Sequence, residues 1–376
     1  MEGLVTSSRN IPRPVGGLDR RTLIAGAGAL GAATATGLSP VFAQAKPVVA
    51  IMAGVFIPDP LRPLIEGKAG AKVENAPYVS PTDTLAKLLA PGGTSRYDLM
   101  ISISSFVRGP IMGAKSGEEK VAPLDLSLIP NASKIADLFK ADIVTRDGKT
   151  YLLPVVWGYD SVIYNADKIP TDDPTTQSWG VLFDDKYAGR VAWRDDAHGM
   201  IIAAGLFLGD PDPAAMNTAQ LKQVTDFLIK KKKNVRTMWS TFGSAVSLMS
   251  SGEVWAMYGW IPMRAALQKQ GMNVTNNWPT DGLMIWSQGG FIPKDSPNIK
   301  SAHAVINAYL DNEVAISLAK VTNYPSPSAD ISGAFPPDER KKLGLDVVER
   351  GQKVYPMKFP TAMDQWLEAW NTVKSA

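Results

Sequence analysis

The sequence predicts an α/β fold of two lobes joined by two extended crossover segments, a clamshell that closes on a ligand held between the lobes. Three observations lead there. Strand-like and helix-like segments alternate along the chain, the alternation restarts after residue 165, and two long extended runs, 151–165 and 282–293, continue through Pro or Gly residues that would end an ordinary strand.

Taken in order, residues 46–55 (KPVVAIMAGV) form an apolar, β-branched run ended by Pro58-Asp59-Pro60, as a buried parallel strand entering a loop would. Residues 61–70 and 80–91 read as helices, the second with Thr82 or Asp83 as N-cap and Leu85, Leu88 and Leu89 on one face. Residues 71–75 and 97–103 are the second and third strands, and the third ends in the polar loop Ser104-Ser105. Ligands of doubly wound sheets sit outside the carboxyl ends of the strands, so Pro58-Asp59 and Ser104-Ser105 are cleft candidates. Past the first crossing, 189–193 and 253–259 read as strands and 199–205, 218–231 and 240–251 as helices. After the second crossing come helices over 301–312 and 313–322, then the Pro-punctuated Tyr324-Pro325-Ser326-Pro327.

Residues 1–45 stand apart from this pattern. Arg9, Arg13 and the pair Arg20-Arg21 precede an uncharged run, 22–45, that is rich in Gly and Ala and ends in Ala43-Gln44-Ala45. A basic n-region, a mildly apolar h-region and an A-x-A end are the layout of a cleavable export signal, and Arg20-Arg21-Thr22-Leu23 resembles the twin-arginine type. Cleavage before Lys46 is expected, with a periplasmic destination.

Composition removes several chemistries. The 376 residues contain no cysteine and two histidines, His198 and His303, so disulfides, thiolate metal sites and cysteine nucleophiles are excluded. Taking the four arginines and two acids of residues 1–45 from totals of 39 and 36 leaves 35 basic against 34 acidic residues, and such a balance gives no field for nucleic acid. No cofactor and no metal are expected.

From about residue 48 onward the chain resembles the solute-binding proteins of ABC importers, in particular the spermidine/putrescine-binding group of the type II periplasmic-binding-protein class. The resemblance lies in Tyr97-Asp98-Leu99, Pro154-Val155-Val156-Trp157-Gly158, Ser178-Trp179-Gly180-Val181-Leu182-Phe183, Tyr187-Ala188-Gly189-Arg190-Val191 with Asp195-Asp196-Ala197, Trp278-Pro279-Thr280-Asp281-Gly282, Ile285-Trp286 and Tyr324-Pro325. It implies residues 46–158 as the first part of the N-lobe, 159–285 as the C-lobe, 286–328 as the return to the N-lobe and 329–376 as a segment packing on the C-lobe. It also implies a monomer that captures a small solute and delivers it to a membrane permease with its ATPase. In that family rings stack on the aliphatic stem of the ligand and acids hold its ammonium groups.

Carried over residue by residue, the ring positions fall at Trp260, Trp286 and Tyr324 and one acidic position at Asp196. Trp239, Trp255 and Trp278 are read as core rings. Gln288, Ser104, Ser105, Phe56, Trp157 and Ser240 complete the expected ligand-binding set: Asp196, Trp260 and Ser240 on one lobe, Ser105 and Phe56 on the other, Trp157, Trp286 and Gln288 at the hinge. The sequence also departs from the family. Gly199 stands three residues after Asp196 where a second carboxylate belongs, Gln288 stands where an aspartate belongs, and Ser105 replaces a tyrosine. Asp196, with Asp160 as a possible second acid, does not match a polycation, because desolvated ammonium groups need charged acceptors. The expected ligand is a smaller polar solute with one positive centre, or a zwitterion whose anionic end meets Arg194 or Arg264. A ferric-ion-binding relative, and an exported enzyme using Asp195, Asp196 and His198, are the alternatives. Adjacent acids on a strand end point to opposite faces, which disfavours the enzyme.

Overall fold

The computed structural model describes residues 46–376; the expected export signal lies outside the described residues. No helix among them is long and apolar enough to cross a membrane.

Among the described residues eleven strands appear: β1 (Val48–Ile51), β2 (Val73–Ala76), β3 (Leu99–Ile103), β4 (Val144–Arg146), β5 (Lys149–Asn165), β6 (Val191–Arg194), β7 (Val235–Trp239), β8 (Ala256–Trp260), β9 (Val274–Asn276), β10 (Leu283–Phe291) and β11 (Val354–Pro356). They follow the order β2-β1-β3-β10-β5-β8-β6-β7, while β4 and β9 pair with β5, and β11 with β10. The segment β2-β1-β3 is parallel, as is β8-β6-β7, and between them the two long strands run antiparallel to each other, β10 also to β3 and β5 also to β8. Both extended runs seen in the sequence are thus single long strands, β5 with 17 residues and β10 with 9. Pro154 is tolerated because the register shifts between Gln288 and Gly289, where β10 passes it.

The buried side chains divide into two large cores. One gathers residues from 48 to 159 with those from 283 to 347, around Val48, Tyr159, Val305 and Tyr309, with a smaller cluster around Ile51, Met100 and Phe291 beside it; the other gathers residues from 162 to 274, around Trp179, Trp193, Met257 and Tyr258. β5 and β10 contribute to both: Tyr159 and Ile285 lie in the first, Val162 and Met284 in the second. Residues 329–376, expected to pack on the second lobe as one segment, instead divide. Ile331, Phe335 and Leu343 pack on the helix Asn312–Thr322, and Val347 joins the first core, whereas Trp366, Trp370 and Val373 of the helix Met363–Ser375 join the second. The amphipathic spacing of Trp366 and Trp370 places both rings on one buried helix face, Trp370 against Trp193 and Trp366 beside His198.

Another expectation changes at β3. Ser104-Ser105 do not form a loop; they open the helix Ser104–Met112 immediately after the strand.

Candidate functional site

A cavity of about 340 Å³ opens where the carboxyl ends of the parallel strands face the two crossing strands. Ala53, Val55 and Phe56 follow β1, Ile103 ends β3 and Ser105 follows it, Arg194 ends β6 and Asp196 follows it, Trp260 ends β8, Asp160 comes from β5, and Trp286 and Gln288 come from β10. Tyr324, His198, Tyr78, Pro81 and Met357 complete the wall. Carboxyl ends of parallel strands gather side chains in this way because each strand stops there and hands over to a helix.

The rings are held by one another. Trp286 meets Tyr324 edge-on with centroids 5.2 Å apart, Tyr324 meets Phe56 at 5.9 Å, and Trp260 meets Trp239 at 5.3 Å, nearly perpendicular. Trp286 lies across β5 at Gly158, its cross-strand partner, where a Cβ would come within 2.5 Å of the indole carbon Cζ2. A glycine at 158 is therefore a condition for that ring position.

Asp160 is the most buried charged group of the wall. Its Oδ1 accepts from Trp286 Nε1 at 2.7 Å and its Oδ2 from the Tyr258 hydroxyl. Burial pushes its carboxyl up to about 6, although Arg194 and both hydrogen bonds pull the other way. Asp196 is the N-cap of the helix Ala197–Phe207, accepting from Gly199 N at 2.8 Å, and it lies 3.4 Å from Arg194 Nη1. The Arg194 guanidinium stacks over the Trp260 ring, 4.8 Å from its centroid, and over Tyr258 at 5.9 Å. Burial opposes its charge, but Asp196, Tyr258 and Asp160 outweigh that and hold its pKa up. His198 is buried, its Nε2 is 2.8 Å from the Lys358 carbonyl, and burial pushes its pKa down, so it stays neutral.

Seven of the ten residues expected from the sequence line this cavity: Phe56, Ser105, Asp196, Trp260, Trp286, Gln288 and Tyr324. Three do not. Ser104 is buried beneath, its hydroxyl 3.1 Å from that of Ser287. Trp157 packs against Phe139 in the first core and donates to the Ser326 carbonyl at 3.1 Å. Ser240 is exposed beyond the end of β7, off the cavity wall. Trp157 alternates with Gly158 along β5, so its side chain emerges on the face opposite to the one Trp286 covers. Of the two arginines considered for an anionic group, Arg264 is buried elsewhere, donating to the Lys342 carbonyl at 3.0 Å and to Asn276. His198, named in the enzyme alternative, is a buried residue of the cavity wall. Asp160 and Arg194 carry more of the electrostatics than their sequence context suggested; the signal available was a charged residue within one apolar stretch, 151–165, and at the end of another, 191–194.

The acid cluster that an enzyme would need does not form. Asp195 turns away to accept from Trp370 Nε1 at 2.8 Å and to pair with Lys374 at 3.1 Å, so that of the adjacent pair only Asp196 lies on the cavity wall. Among the described residues no group of three or more His, Cys, Asp or Glu side chains could hold a metal ion.

Residues 65–339 match the family of bacterial extracellular solute-binding proteins. The chain belongs to that family. Among curated members, spermidine/putrescine-binding periplasmic protein 1 of Haemophilus influenzae is 26% identical over 281 residues, covering 75% of this chain and 75% of its own. The putrescine-binding periplasmic protein SpuD of Pseudomonas aeruginosa is 26% identical over 329 residues, covering 82% and 86%. The crystal structure of the spermidine/putrescine ABC transporter substrate-binding protein PotD from Streptococcus pneumoniae, in complex with calcium and HEPES, superposes with a TM-score of 0.73 at 22% identity, covering 88% of this chain and 99% of that one. The α/β fold of the type II solute-binding proteins is thereby established for this chain, and its family role is to bind a solute. Neither the ferric-ion reading nor the enzyme reading finds support among these relatives.

Proposed function

We propose that this solute-binding protein is the capture subunit of an ABC importer, exported through a twin-arginine signal in residues 1–45, working in the periplasm as a monomer without cofactor or catalysis, and handing its ligand to a membrane permease and its ATPase. The ligand is a small polar solute that carries an amine, with one positive centre or as a zwitterion, held between an N-lobe and a C-lobe that close on it.

The observation that carries this reading is the charge count of the cavity. Asp160 and Asp196 face one arginine, Arg194, so the wall is left with a single net negative charge when all three are ionised. Rings of Trp260, Trp286, Tyr324 and Phe56 surround that charge, the combination that accepts an ammonium group on an aliphatic stem. A tri- or tetra-cation would leave desolvated ammonium groups without charged acceptors. The curated relatives are named for spermidine and putrescine, which supports an amine.

Titration calorimetry of the purified protein with monoamines, amino acids, putrescine and spermidine tests the assignment. Tight binding of one or more singly charged or zwitterionic amines is expected. Dissociation constants near ~1 μM or below for spermidine, in the range of a well-matched small-ligand site, would overturn the single-charge reading, and absence of any amine ligand would overturn the amine itself.

A further inference from the structure

In this cavity the place suited to a ligand ammonium already holds a cation from the chain. Asp196 and the face of Trp260 together form such a seat, and the Arg194 guanidinium occupies it, 3.4 Å from the carboxylate and 4.8 Å from the ring centroid. The remaining acid, Asp160, has both oxygens engaged by Trp286 and Tyr258. Arg194 is partly exposed, side chain 27%, and faces the cavity with N–H donors left over, since a guanidinium carries five and none is lost to deprotonation. Three further features favour negative charge in the same space. The helices Pro81–Leu89, Ser104–Met112, Ala197–Phe207 and Ile261–Lys269 each have a wall residue in the first turn or at the N-cap, Pro81, Ser105, Asp196 and Trp260, so their positive ends converge on it. The Ser105 hydroxyl, on the wall, is buried and without a hydrogen-bond partner among the described residues. Gln288 stands where the family has an aspartate, which removes an acid from the other end.

We propose that Arg194 is the anion-binding residue of the cavity and that the ligand is an ω-amino acid, its carboxylate on the Arg194 guanidinium and its ammonium among Trp286, Tyr324 and Gln288 above the Asp160 carboxylate. The proposal rests on reading the cavity as a site for an amine-bearing solute and adds that the amine must be joined to an acid. Arg194 acts by direct contact. It neutralises Asp196, repels a second ammonium and offers a fork of donors whose geometry fits a carboxylate.

The test compares matched pairs by calorimetry: 4-aminobutanoate, 5-aminopentanoate and 6-aminohexanoate against the diamines of the same chain lengths, on the wild type, Arg194→Met and Arg194→Lys. The wild type is expected to prefer at least one amino acid over its diamine by about ten-fold or more, in keeping with the 1.4 kcal/mol that one charged contact readily supplies. Arg194→Met, with thermal unfolding confirming the fold, should reverse that preference by freeing Asp196 for an ammonium group, whereas Arg194→Lys should weaken the amino acid yet keep the order. Equal loss of both series in Arg194→Met would show Arg194 to be a structural partner of Asp196 and overturn the proposal. So would a wild type that prefers the diamines, or that binds neither series. A diamine preference would leave the amine reading standing, while failure of every amine, tested as above, would remove both.

Discussion

Asp160 shows how one side chain can serve a site at a cost to the fold. Its carboxyl, held at about 6 by burial, ionises near ~3.9 in an unfolded chain. Between those values the native state binds more protons than the unfolded state, so this group's contribution to stability is greatest below about pH 4 and is lost as the pH rises through about 6. At neutral pH the penalty is on the order of 3 kcal/mol. Asn at this position can still accept from Trp286 Nε1 and can donate to the Tyr258 oxygen. Asp160→Asn is therefore expected to be more stable than the wild type in denaturant titrations at pH 8, with the gap shrinking toward pH 4. A gap that does not change with pH would show that the carboxyl is not the source. Ligand affinity should move the opposite way, because a ligand ammonium favours the ionised form and the variant cannot supply it. The wild type should accordingly bind an amine more weakly at pH 5.5 than at pH 7.5.

At the scale of elements, the long strands were legible in the sequence and the lateral wall of the site was only partly so. Runs 151–165 and 282–293 became β5 and β10 because an extended stretch that continues through Pro or Gly needs a partner strand on both sides, and each supplies one to the other. The helix Ile261–Lys269 went unread, since Pro262 looks like a breaker until it is seen to occupy the first turn, where its missing N–H costs nothing. Trp157 was misplaced by one step of strand alternation, and Asp160 was undervalued because its partners, Tyr258 and Trp286, lie 98 and 126 residues away along the chain. Gly199 shows what the family pattern could not. A Cβ there would come within 2.6 Å of the Tyr258 hydroxyl and 3.0 Å of Asp196 Oδ2. Replacing the missing family carboxylate in this backbone therefore pushes on the Tyr258–Asp160 pair. Gly199→Glu is expected to lower unfolding stability by about 1–3 kcal/mol through overpacking, without creating tight spermidine binding. A gain of submicromolar spermidine affinity would show that a single lost acid, and not the rearranged charge set, decides the ligand.

For the whole molecule the question is how a cavity built from two cores holds a small solute. Phe56, Ser105 and Tyr324 belong with residues of the first core, Arg194, Asp196 and Trp260 with the second, and Asp160, Trp286 and Gln288 lie on the strands that run between them. A ligand that touches only one side gains no free energy from bringing the sides together; one that touches both favours the closed arrangement by the difference in contacts. At a concentration 100 times its dissociation constant such a ligand stabilises the native state by about 2.7 kcal/mol. For a folded unit of some 330 residues, with about 2.1 cal/mol/K of unfolding entropy per residue, that raises Tm by about 4 °C. Closure adds a second signature, a smaller radius of gyration in small-angle scattering at the same ligand concentration. A 4-aminobutanoate-type ligand should produce both together, and Ser105→Ala, which alters only the first side, should weaken the contraction along with the affinity. A rise in Tm with no contraction would mean that the solute is held by one side alone, and the clamshell mechanism would then fail even though the binding site stood.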